Sequence, residues 1–395
     1  MERNVASSNA KFDLTLLPQD VLRNIFYRCT VRELGRLSQT CHYFQELVSD
    51  RLLWQHLCWR DFNLLDPDLG PFESHYMLYK NLLHKHGWMC GTYIISYEPV
   101  RSLAEIKYRN GAVVCIEWIS KAIEDPLVEC VVFQISDDRS QYYCRASRRV
   151  HMCQLSVNKV KGTLKQTCLD DPRFRHCRPG SPIDDSPVMD DIYFEMTPQL
   201  YGCMVGRTYK PILLPSPDSL PSELKMTDDS IPSQLITPGL FKGSFPLPVI
   251  LCLRYKNEYE ILGHEVAARC SNRNGINLKI FVQKALLPSL DEQKSFEALR
   301  GCDSEQDVFS TNLSQPFIVP EGCTAPSTYP STCNARYKGF MRPKWVSEYI
   351  EAHVIIFSHD LFGVLILDKY RAFHVFRRIH QKFTTNILTE VESAI

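Results

Sequence analysis

Between residues 14 and 62 the apolar positions recur every three or four residues, the period of helices with one buried face. Val21, Leu22, Ile25 and Phe26 follow Pro18, a residue suited to a first helical position, and predict a short helix. Thr30 can cap a second helix that carries Leu34, Leu37 and Cys41 and continues through Phe44 and Leu47. Ser49 or Asp50 can cap a third, with Leu53, Trp54 and Leu57 on its apolar face. Gly35 is the only glycine here and no proline follows Pro18, so nothing interrupts the pattern. Three short helices with so little shared core are marginal alone and would gain stability from a partner helix.

From about residue 88 the period shortens to two, and β-branched and aromatic runs alternate with turns. MCGTYIISYEP, AVVCIEWIS, LVECVVFQIS, QYYCRAS, PVILCLRY, YEILGHEV, INLKIFV, EAHVIIFSH and FGVLILD all read as strands. Turns rather than helices separate them, which predicts an antiparallel barrel or sandwich. Eight of the 24 prolines fall between residues 211 and 248, predicting a loop or linker there. SLDEQKSFEALR, 289 to 300, reads as one capped helix. The predicted fold class is α+β: a disordered start (1–13), a three-helix block (14–62), a helical linker (63–87), a large, mostly antiparallel β domain (88–382) and a tail (383–395).

Composition narrows the function. With 44% hydrophobic residues the 395-residue chain can bury real cores. Lys plus Arg and Asp plus Glu both number 45, so the net charge is zero, which argues against a nucleic-acid partner. The longest apolar runs, such as Val113 to Ile119, are far shorter than the ~20 residues of a membrane span, so no membrane partner is expected. The sequence MERNVASSNAKFD has no continuous apolar core, and a cytoplasmic or nuclear location is expected. In that reducing setting the 16 cysteines are buried, catalytic or metal-bound rather than disulfide-paired.

Cys144, His151, Cys153, Cys168, His176 and Cys177 form the densest Cys/His group of the chain. Their gaps are not those of a C-x2-C knuckle, so a tetrahedral zinc and a set of small buried thiols both remain open. Asp170-Asp171, Asp184-Asp185 and Asp190-Asp191 stand among prolines and serines, where acidic pairs are solvated loop residues. Phosphate-binding glycine loops are absent from the sequence. A zinc-dependent or thiol hydrolase with an N-terminal helical cap is the alternative class, although no nucleophile motif supports it. The stretch Gly239 to Gly243 sits in a PGLFKG turn with a lysine beside glycines. Exposed backbone groups there would suit capture of a peptide C-terminus, with Phe241 in apolar contact and Lys242 or a nearby backbone donor meeting the terminal group.

The helical block resembles an F-box, through Leu16-Leu17-Pro18, Val21-Leu22-x-x-Ile25-Phe26, Leu34, Leu37, Cys41, Phe44 and Trp54. That resemblance implies docking on Skp1, and through it on cullin and RING subunits, by Leu16, Leu17, Pro18, Val21, Leu22, Ile25, Phe26, Leu37 and Trp54. The remainder is similar to the client-binding domain of a group of F-box proteins, through ITPGLFKGSF, QPFIVPEG, YPSTC and FSHDLFGVLILDKYRAFHVFRR. The resemblance implies a non-catalytic substrate receptor of an SCF ubiquitin ligase that reads client tails, cyclin D among them, in the cell cycle. It also implies one structural zinc, carried over to Cys144, His151, Cys168 and Cys177, with Cys153 and His176 as close substitutes. Residues 261 to 278 depart from the turn of those relatives, so client identity does not transfer.

Overall fold

The computed structural model describes residues 14–97, 100–120, 122–136, 143–144, 151–158, 163–168, 206–215, 236–245, 247–257, 259–268, 276–286, 331–338, 340–341, 344–345, 348–366 and 373–387. Two compact units are present. The first holds the chain up to Cys90 together with the described parts of 108–113 and 135–140, and the second holds the rest.

In the first unit a 3-10 turn, Leu14–Leu16, leads into α1 (Gln19–Phe26), α2 (Val31–Leu37), α3 (His42–Val48) and α4 (Arg51–Phe62). Thr30 caps α2 through a reciprocal box: its hydroxyl accepts from the Glu33 N–H at 3.3 Å, and the Glu33 carboxylate accepts from the Thr30 N–H at 2.7 Å. Asp50, not Ser49, caps α4, accepting from the Leu52 N–H at 2.9 Å. The continuous second helix expected from 31 to 47 is in fact two. The Ser38 and Thr40 hydroxyls donate to the carbonyls of Gly35 and Leu37 at 3.0 and 2.7 Å, satisfying the end of α2 and stopping it. Pro18 stands just before α1 as its cap residue rather than as its first turn.

The predicted helical linker is helical only in its second half. It comprises α5 (His75–Leu78), a π-helical turn at Tyr79–Leu83, α6 (His84–His86) and a 3-10 turn at Gly87–Met89. Trp54 is the hinge pin of this unit. Only 4% exposed, it donates its indole N–H to the Val48 carbonyl at 2.6 Å and meets Tyr76 and Tyr79 edge-on at 4.8 and 5.4 Å.

The strands come in two sets of eight. The first set is β1 (Gly91–Tyr97), β2 (Val100–Arg109), β3 (Ala112–Ile119), β4 (Val128–Ser136), β5 (Tyr143–Cys144), β6 (His151–Asn158), β7 (Thr163–Cys168) and β8 (Gly206–Pro211). Each pairs with its neighbour in sequence, and β8 returns to pair with β1, closing an up-and-down barrel. The second set is β9 (Gly239–Phe245), β10 (Leu247–Asn257), β11 (Glu260–Ala268), β12 (Asn277–Leu286) and β13 (Ser331–Lys338), then, beyond a small hairpin of β14 (Phe340–Met341) and β15 (Lys344–Trp345), β16 (Ile350–Ser358), β17 (Leu361–Ile366) and β18 (Phe373–Arg378). Here β18 returns to β9, and β11 pairs with β12, so the second meander closes as well. One register pair, Arg101 with Ala268, joins β2 to β11. The expected barrel or sandwich is thus a tandem of closed meanders. The expected loop over 211–248 ends earlier than its prolines suggested, since β9 and the start of β10 are paired strands and Pro248 lies opposite Ser244. The helix expected over 289–300 lies outside the described residues.

The two interiors differ. The second barrel is filled by apolar side chains, among them Phe241, Phe362, Phe376, Leu251, Leu278 and Val354. Phe362 stacks on Phe376 and meets Phe241 edge-on, each at 5.1 Å. The first barrel buries an Arg207–Glu117 ion pair at 3.5 Å and a Tyr209 hydroxyl that donates to Gln166. Replacing Phe362 by alanine removes the ring that both partners touch. The expected loss is about 3–5 kcal/mol, read by denaturant unfolding, with Phe362→Leu costing clearly less.

Candidate partner-binding surface

The apolar residues of α1 separate into two stripes one residue apart. Leu22 and Phe26, 1% and 3% exposed, point into the first unit, where Phe26 meets Phe44 at 5.9 Å. Val21 and Ile25, one turn apart on the same helix, are about two-fifths exposed. Leu16, in the turn ahead of α1, is 82% exposed, Pro18 is exposed, and Leu17 and Leu37 are half-buried. The nine residues expected to meet a partner therefore divide: Leu22, Phe26 and Trp54 build the core, Leu16, Pro18, Val21 and Ile25 face outward, and Leu17 and Leu37 lie between. Single exposed leucines are ordinary, but several on one short helix and its lead-in make an apolar face that suits a partner.

Fixing that face falls to Arg60 of α4. Its Nη1 donates to the carbonyls of Tyr27 and Cys29 at 2.7 and 2.9 Å, just past the end of α1, while Asp61 balances its charge at 2.6 Å. Asp61 in turn accepts from the Tyr79 hydroxyl at 2.6 Å. Sequence reasoning missed Arg60, because a cation in the last turn of a helix reads as a solvated end.

The PGLFKG stretch is occupied with holding the second barrel. Phe241 is fully buried, and the Lys242 ammonium, 6% exposed, donates to the carbonyl of Asp125. Burial pushes the Lys242 pKa below its ordinary value, with Glu124 and Asp125 pulling the other way. Gly239 has φ +155°, and a side chain there would meet the Arg378 guanidinium, whose Nη1 would lie 2.3 Å from the added carbon. Arg378 pairs with Asp360 at 2.7 Å, donates to the carbonyls of Thr237 and Pro238, and lies over the Phe241 ring at 4.5 Å. As placed, Phe241 offers no exposed surface to a client.

Of the residues carried over for zinc, Cys144 lies in β5, His151 in β6 and Cys168 in β7, while Cys177 and the substitute His176 lie outside the described residues. The backbone register pairs Cys144 with His151 and Cys153 with Cys168. No group of three or more metal-binding side chains occurs among the residues whose side chains are described. Elsewhere burial raises the thiols of Cys58, to about 12, Cys333, to about 11, and Cys252. A nucleophilic cysteine requires the opposite shift, so these three do not support a thiol hydrolase. Among the described residues no helix is long and apolar enough to cross a membrane.

Residues 14–60 match the F-box-like family, and residues 223–382 match the Cyclin D1 binding domain family. The chain is 24% identical over 260 residues to F-box only protein 31-A of Xenopus laevis, covering 59% of this chain and 47% of that protein. It is 46% identical over 41 residues to F-box/LRR-repeat protein 12 of Bos taurus, covering 10% of this chain and 13% of that protein. The chain thus spans about half the length of the first relative and a small part of the second.

The division of α1 gives a stability test. Trp54→Ala and Leu22→Ala should each cost about 2–5 kcal/mol, because both leave a cavity in the first unit. Leu16→Ala and Ile25→Ala should change stability by no more than about 0.5 kcal/mol. Chemical denaturation of the four variants separates the classes.

Proposed function

From the F-box-like domain that occupies residues 14–60, we propose that this protein is a substrate-recognition subunit of an SCF-type ubiquitin ligase. The observation that carries the reading is the outward apolar stripe of Val21, Ile25 and Leu16 within that domain. These side chains meet Skp1, which links the chain to cullin and RING subunits. Leu22, Phe26 and Trp54 contribute by holding the helices that present the stripe. Ubiquitin transfer belongs to the attached ligase, and this chain supplies no catalytic group. The second barrel falls within the stretch matching a Cyclin D1 binding domain, which supports a cyclin-like client and a role in the cell cycle. A cytoplasmic or nuclear setting suits this role.

The same reading includes one structural zinc, held by Cys144, His151, Cys168 and Cys177. Thiolates and an imidazole are the donors that tetrahedral zinc takes, and the backbone register across β5, β6 and β7, of Cys144 with His151 and of the substitute Cys153 with Cys168, supports this reading. When bound, the metal would cross-link these strands without taking part in a reaction.

Two measurements test these readings. Calorimetry with purified Skp1 should show Leu16→Ala and Ile25→Ala weakening binding by about 2 kcal/mol each, in the range of interface hot spots, at unchanged melting temperature. Unaltered affinity in both variants would remove the F-box face as the docking surface. Elemental analysis of tag-free protein should find one zinc per chain, with chelation lowering the melting temperature. Protein free of zinc after expression in zinc-supplemented medium would rule the ion out.

A further inference from the structure

The last described stretch of the chain crosses from one barrel to the other. After β18 ends at Arg378, the Ile379 N–H donates to the Leu240 carbonyl at 2.8 Å, holding the segment to the second barrel at β9. Residues 380–386 then continue without helix or strand. At the far end the Thr384 N–H and hydroxyl both donate to one oxygen of Glu105 on β2, at 2.9 and 2.8 Å. The Thr384 carbonyl accepts from the Thr92 hydroxyl on β1 at 2.7 Å, and the Asn386 side-chain amide donates to the Ile212 carbonyl, one residue past β8, at 2.8 Å. Phe383 meets the Trp118 ring edge-on at 6.0 Å.

These anchors share one place in the topology. Strand β1 pairs with both β2 and β8, and its ladder with β8 is the seam that closes the first barrel. That ladder is short, running from Tyr93 opposite Pro211 to Ser96 opposite Thr208. The segment therefore touches β1, β2 and the end of β8 together. Two features show that the site is shaped for it. Glu105 is 2% exposed, its second oxygen is paired with Lys107 at 3.0 Å, and its first accepts both Thr384 donors. Gly91, at φ +154°, leaves the space filled by Asn386, whose Oδ1 would lie 1.8 Å from an added Cβ.

We propose that residues 379–386 are a clasp that locks the closing seam of the first barrel, with Glu105 as its principal acceptor. Release of the clasp and opening of the β1–β8 seam are then one local event, with the second barrel left closed. This proposal is independent of the partner reading above, because it invokes no bound protein.

The test is hydrogen exchange by mass spectrometry on the full chain carrying Glu105→Gln, Thr384→Pro or the milder Thr384→Val. Exchange across 91–97 and 206–212 should quicken by roughly ten- to a hundredfold in Thr384→Pro, which loses both donors, and by a smaller factor in Glu105→Gln, whose amide oxygen still accepts but lacks the carboxylate charge. Thr384→Val, which keeps the backbone donor, should give a smaller rise in the same peptides. Peptides of β12, β13 and β16 should be unchanged throughout. If the stronger variants do not fold, Thr384→Val decides alone: a rise confined to the seam supports the clasp, and a rise spread over both barrels overturns it. Unchanged exchange at the seam, or free-peptide exchange at residues 383–386 in the unaltered protein, also overturns it.

Discussion

The constraint on which the two barrels depend is that each of their strands must find a hydrogen-bonded neighbour on both sides. A meander leaves its first and last strands half-paired, and closing it on itself removes both edges at once. Eight strands also give an interior that side chains can fill without a channel. The consequences propagate. Because β18 must return to β9, Phe376 comes opposite Gly243 and Arg378 comes beside Gly239, where only a residue without a side chain leaves room. Because β8 must return to β1, Tyr93 and Tyr209 meet at 6.4 Å and Arg207 is carried to Glu117. Burying that ion pair is tolerated because each charge has its partner, whereas either alone would be strongly unfavourable. The second barrel meets the same constraint with aromatic packing instead.

Much of this was legible locally. The alternation of the strands pointed to antiparallel β structure, and the pairings between the described strands are antiparallel. Closure itself was not legible, because the pairs that close each ring join strands far apart in sequence, and alternation says only which face is buried. The strand at PGLFKG was hidden by its prolines: Pro238 precedes β9 and Pro248 lies near the start of β10, where the ladder can accommodate a missing donor. The break between α2 and α3 was hidden for a different reason. Apolar spacing ran straight through residues 38 to 41, and the groups that decided the matter were two hydroxyls that bonded backwards to carbonyls.

The candidate surfaces show a similar limit. Apolar periodicity identified α1 and its contents, but two adjacent stripes of one helix have the same period, so the pattern could not say that Leu22 and Phe26 turn inward while Val21 and Ile25 turn outward. That assignment comes from what packs behind the helix. For the Cys/His group the difficulty was spacing. The gaps match no knuckle motif, and only the backbone register sets Cys144 opposite His151 and Cys153 opposite Cys168. Irregular gaps in sequence become adjacent positions in a ladder, a relation visible only once the register is known.

The proposed docking role of α1 asks how a helix of eight residues is held in shape. Free helices of that length are unstable in water, and a segment that folded only on binding would lose affinity to the cost of ordering. Here α1 is ordered in advance: Leu22 and Phe26 are buried behind it, Arg60 satisfies the carbonyls just beyond its end, and Asp61 and Tyr79 hold Arg60 in turn. The exposed stripe is therefore presented on a backbone whose conformational entropy has already been lost in folding. Burial of Val21, Ile25 and Leu16 by the proposed partner would add to affinity with little ordering to oppose it, which is the advantage of a preorganised surface over a larger flexible one.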